Sequence, residues 1–171
     1  MIISIRRYTY EELKGMLSKD EKIILFTCNT CIKFCDVGGR VRTHQLAEKL
    51  TEDGYNVIRE ENVGAACLLD LIEKRKTDEA TRKTFEEADT IIVLTCEDGW
   101  DNVAYTFPDK KVLKVTKTLG LGLWRADKGP VLTCPLGFTG LERDYNGYVI
   151  AEYAEKLGGH AGPYYDPEAQ N

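Results

Sequence analysis

The sequence predicts an α/β protein, a Rossmann-like or flavodoxin-like three-layer fold around a mainly parallel sheet of about four to five strands. Three observations carry that expectation. Compact apolar runs rich in β-formers recur at residues 22–27, 55–63, 90–95 and 111–115. Amphipathic helical stretches lie between them, so consecutive strands are joined by crossovers and run parallel. The chain has 171 residues, with 43% hydrophobic and 30% charged, enough to bury one core without staples.

Taken in order, Thr9-Tyr10-Glu11-Glu12 has the form of a capping box and starts a short helix over residues 10–17. A polar turn leads into the strand 22–27. Gly38-Gly39 ends the following loop, and a helix is expected over 40–53. Val41, Leu46, Ala47 and Leu50 form its buried stripe, while Arg42, Glu48, Lys49 and Glu52 face water. Gly54 stops it. A second strand begins at Tyr55 and runs on to Val63, followed by the loop Gly64-Ala65-Ala66-Cys67. Residues 68–88 are helical in pattern with an interruption near Thr77-Asp78. Their inner face carries Leu68, Leu71, Ile72, Phe85 and Ala88. The strand 90–95 is the cleanest of all. A short helix over 100–107 stops before Pro108. The strand 111–115, a further one at 130–137 and a helix over 148–157 complete a single α/β metal-binding domain at 1–157. Residues 158–171 are expected to be an extended, partly disordered tail.

Charge and hydropathy narrow the function. Lys and Arg total 23 against 28 Asp and Glu, a formal net charge of −5, so no basic excess is present to neutralise phosphates and no nucleic-acid partner is expected. No apolar run approaches ~20 residues, so no membrane span is expected. The apolar stretch at the N-terminus is too short for a signal peptide. A cytoplasmic location follows as an expectation, and there cysteines stay reduced.

The six cysteines are Cys28, Cys31, Cys35, Cys67, Cys96 and Cys134. The first three form a C-x2-C-x3-C triplet. Free cysteine also packs as a small buried hydrophobe, but thiols so closely spaced point to a soft metal or an iron–sulfur cluster. Cys28 ends the first long strand, Cys67 follows the second and Cys96 ends the third, which puts all three on one rim of a parallel sheet. Cys31 and Cys35 hang above that rim. Cys28, Cys31, Cys35, Cys67 and Cys96 are therefore the candidate metal ligands, with Cys134 outside the set. A tight triplet with scattered further ligands suits a [4Fe-4S] cluster better than zinc, which takes two close pairs. Gly38 and Gly39, just before a helix, are candidates to aim backbone N–H groups at cluster sulfur. Their plainer reading is a tight turn.

Little else competes. His44 and His160 read as surface histidines, and Glu97-Asp98 beside Cys96 first as a solvated loop, second as acid–base groups. Trp100, Trp124, Phe138 and Tyr145 read first as packing residues, second as a docking surface. There is no G-x-G-x-x-G and no Walker sequence.

The motif set resembles the C-terminal, MetV-type domain associated with methylenetetrahydrofolate reductases of anaerobes. The likeness runs through Cys28, Cys31, Cys35, Gly38 and Gly39, then Gln45-Leu46-Ala47-Glu48, Cys67, Leu94-Thr95-Cys96-Glu97, Asp109-Lys110-Lys111-Val112 and Thr118-Leu119-Gly120. It covers about residues 20–122. The resemblance implies an iron–sulfur accessory subunit in one-carbon metabolism, relaying electrons to a flavin-containing, MetF-like reductase subunit and not itself catalytic. The alternative it implies is a zinc-binding structural module of a folate or methyl-transfer complex. This chain departs from the family after residue 122. It has only Cys134 where members carry a second cysteine-rich segment, and it lacks the flavin-binding barrel.

Overall fold

The computed structural model describes residues 1–170. The chain builds two four-stranded sheets instead of the one sheet expected. The first is wholly parallel, in the order β3-β2-β4-β5, from β2 (Lys22–Cys28), β3 (Asn56–Val63), β4 (Thr90–Leu94) and β5 (Lys111–Lys114). These are the four expected runs, with β2 one residue longer and the other three one residue shorter.

Strand periodicity explains how this sheet is covered. Ile23, Leu25, Ile92 and Leu94 face one way, onto Leu46, Ala47 and Leu50 of α3 (Gly39–Glu52) and Leu13 of α1 (Tyr10–Gly15). Ile24, Phe26, Ile91 and Val93 face the other way. There they meet Ile72 of α4 (Leu69–Thr77), Phe85 of α5 (Glu79–Glu87) and Val103 of α6 (Glu97–Thr106). Phe85 stacks on Phe107 with ring centroids 4.7 Å apart and meets Phe26 edge-on at 6.5 Å. The α4–α5 break falls at the expected Thr77-Asp78, where the Asp78 side chain accepts from the Ala80 N–H and caps α5. The capping box at Thr9 and Glu12 forms as well.

The second sheet corrects the single-sheet expectation. It is antiparallel, in the order β1-β6-β7-β8, from β1 (Ile2–Arg6), β6 (Thr116–Arg125), β7 (Gly129–Pro135) and β8 (Tyr148–Val149). The region 130–137 therefore pairs with β6 and never joins the parallel sheet. Close backbone approach explains why β6 carries glycines. A Cβ at Gly120 would lie 2.2 Å from the Cys134 carbonyl oxygen, and one at Gly122 would lie 2.0 Å from that of Val131. Ile3 and Ile5 of β1 are fully buried in the same cluster as Ile24 and Phe26, so the two sheets share a core.

The last part of the chain also differs from expectation. The helix over 148–157 is cut to the single turn α7 (Ile150–Tyr153), because Tyr148 and Val149 pair with Leu132 and Val131. The described part of the tail packs down. His160 and Arg6 exchange two backbone hydrogen bonds of 2.9 Å. The Arg6 guanidinium donates to the carbonyls of Gly162 and Ala161. Tyr164 is buried, and its hydroxyl donates to the Val115 carbonyl at 2.5 Å. Among the described residues no helix is long and apolar enough to cross a membrane.

Candidate metal centre

All strands of the parallel sheet end on one side, and the topology delivers five cysteines there. Cys28 is the last residue of β2, buried, in register with Val63 at the end of β3. Cys67 follows β3 on an exposed loop. Cys96 is the buried N-cap of α6, two residues beyond β4. Cys31 opens and Cys35 closes off α2 (Cys31–Phe34), the one-turn helix between β2 and α3. Cys35 is the most enclosed of the five, 2% exposed. Its sulfur accepts the Ser4 N–H at 3.4 Å and donates to the Ile2 carbonyl at 3.5 Å. The antiparallel sheet thus closes one wall of the site, a contribution that no spacing in the sequence announced.

The thiols feel one another. Burial pushes the Cys35 thiol up to about 12, and Cys31 and Cys96 add to that push against the Ser4 N–H. Burial pushes the Cys96 thiol up to about 11, with Cys28, Asp98 and Cys67 adding and the Gly99 N–H opposing. Those mutual effects link all five cysteines into one electrostatic neighbourhood. Left without a metal, Cys35 and Cys96 are protonated at neutral pH, so ligation has to displace their protons. Among the described residues no group of three or more Cys, His, Asp or Glu is already disposed to hold a metal ion. The donor set suits a soft metal or cluster in its chemistry, and ligation would require the sulfurs to close further around it. Cys134 lies on β7 opposite Leu121.

Gly38 and Gly39 do another job in this structure. The Gly39 N–H donates to Thr27 Oγ1 at 2.8 Å, and Thr27 donates in turn to the Leu94 carbonyl at 3.0 Å. A Cβ on Gly38 would come within 2.8 Å of Ile32 Cγ2 and 3.0 Å of the Leu94 oxygen. Gly39 has φ +81°, a left-handed conformation that suits glycine. The pair lets the thiol loop pass close over β2 and β4 into α3.

Glu97 is not a free solvated acid. Its carboxylate pairs with Lys114, and its N–H donates to Thr118 Oγ1 at 2.9 Å. Lys114 also lies 4.5 Å from the centre of the Trp100 ring. Thr27, Ser4 and Lys114 carry no local signal in the sequence, since each owes its place to a tertiary contact. His44 is exposed and pairs with Glu60 at 2.9 Å, away from the thiols, as a surface histidine should. Compared with family models, curated proteins and solved structures, the chain matches none.

Proposed function

We propose that the chain is a thiol-ligated metal protein, an iron–sulfur accessory subunit that relays electrons to a flavin-containing reductase partner. The observation that supports it is the gathering of Cys28, Cys31, Cys35, Cys67 and Cys96, from separate elements, at the C-terminal edge of one parallel sheet. Four thiolates satisfy a [4Fe-4S] cluster, and five candidates leave one to spare. Such a cluster supplies reversible one-electron storage. The chain's own residues hold it, shield it through buried Cys28, Cys35 and Cys96, and leave the side of exposed Cys67 facing outward. The reductase assignment rests on the resemblance of the cysteine and Gly-Gly motif to the methylenetetrahydrofolate reductase-associated domain, and so does the flavin partner.

Anaerobic reconstitution with ferrous iron and sulfide tests this. The expected result is a brown protein whose visible absorbance bleaches with dithionite as a paramagnetic signal appears. A colourless chain that takes up one zinc ion instead would move the site to structural zinc and end the electron-transfer reading.

A further inference from the structure

A second cavity lies on the antiparallel sheet, bounded on one side by Glu97 at the start of α6, next to Cys96. Arg7, Glu97, Lys117, Thr118, Leu136 and Phe138 line a cavity of 370 Å³, a size that accepts a small molecule. Its charges are out of balance. Glu97 is spent on Lys114. Arg7 uses only Nε, donating to the Thr116 carbonyl at 2.8 Å. Lys117 donates to the Leu157 carbonyl at 2.7 Å. Among the described residues neither Arg7 nor Lys117 has a carboxylate partner, and both are held in place by a backbone oxygen. The remaining wall is apolar and open. Phe138 is 59% exposed and Leu136 45%, and the Lys117 ammonium sits 5.2 Å from the Phe138 ring centre.

We infer that this cavity binds a small organic anion, with a carboxylate or phosphate on Arg7 and Lys117 and a flat apolar body against Phe138 and Leu136. Two tethered cations offer the anion charge-assisted hydrogen bonds without first giving up a protein carboxylate. An aromatic face beside them rewards a ring over a bare ion. None of the lining residues is a cysteine, so the metal-free chain keeps every group that the anion would contact.

The test is titration of the full, metal-free chain, followed by calorimetry and amide NMR. The probes are phenyl phosphate, benzoate, inorganic phosphate and benzyl alcohol. Phenyl phosphate or benzoate should saturate and shift the Thr118 and Phe138 signals, the stronger of the two telling phosphate from carboxylate. Inorganic phosphate and benzyl alcohol should each bind at least about tenfold more weakly. Lys117→Gln and Arg7→Gln should each weaken binding about tenfold, as loss of a charge-assisted hydrogen bond does. Lys117→Arg, which keeps the charge, should restore most of it. Unfolding curves confirm that each variant is folded. Failure of both aromatic anions to saturate overturns the inference. So does benzyl alcohol binding as tightly as they do, or folded Lys117→Gln and Arg7→Gln variants that bind like wild type.

Discussion

Individual residues divide into those that a site needs for chemistry and those that it needs for space. Cys31 belongs to the first group. Its replacement by Ala should empty the site, as metal analysis would read, whereas Cys134→Ala should retain the metal because Cys134 is outside the five candidate ligands at the end of the parallel sheet. Gly38 belongs to the second. Gly38→Ala drives a methyl into Ile32 and the Leu94 oxygen, and should cost about 1–3 kcal/mol in chemical denaturation. The triplet itself was legible because cysteine spacing is a local signal. The use made of Gly39 was not legible, because the acceptor of its N–H, Thr27, is twelve residues away. Reactivity separates the thiols. Exposed Cys67 should be the first labelled by iodoacetamide, and Cys35, buried and pushed up to about 12, the last, as peptide mass mapping would show.

Elements are held by charges that the apolar pattern does not reveal. Asp53 caps the C-terminus of α3 and receives Lys49 at 2.7 Å, Tyr10 at 3.0 Å and Lys14 at 3.3 Å, tying α3 to α1. Those hydrogen bonds, Lys49 foremost, hold its carboxyl down to about 2. Because the folded value lies below the ordinary carboxylate value of about 4, the contribution is full above that pH and is lost as pH falls from about 4 through 2. Urea midpoints should show Asp53→Asn less stable than wild type at pH 7, with the gap closing by pH 2. Parallel curves would contradict this. On the other side of the sheet, Glu61 is buried on β3 between Arg59 at 2.6 Å and Arg75 at 2.8 Å. Glu61→Ala strands Arg75, and denaturation should record a loss of about 3 kcal/mol. The strands β2 and β4 were plain in the sequence because burial on both faces demands continuous β-branched and aromatic runs. The pairing of β6 was not. Its glycines and threonines look like loop until β1 and β7 lie against it.

The molecule as described is a parallel sheet roofed by helices, with an antiparallel sheet that begins at Ile2 and is clamped by residues 160–164. That arrangement escapes a sequence read by neighbours, because β1 pairs with a strand more than a hundred positions away and Tyr164 closes on Val115. Tyr164→Ala should therefore destabilise the entire fold, by about 3 kcal/mol in thermal or chemical unfolding. A local effect confined to the tail would mean that the end of the chain does not clamp the core. The placement of the thiol edge was readable, since strands, crossovers and cysteines repeat in step along the chain. The wall that β1 adds through Ile2 and Ser4 was not. The proposed function requires those sulfurs to act together. Iron, sulfide and zinc counted per chain in protein produced and kept without oxygen measure this most directly. About four irons and four sulfides per chain, falling to none in Cys31→Ala, are the predicted result. A wild-type chain that is folded, fully reduced and free of all three would contradict it.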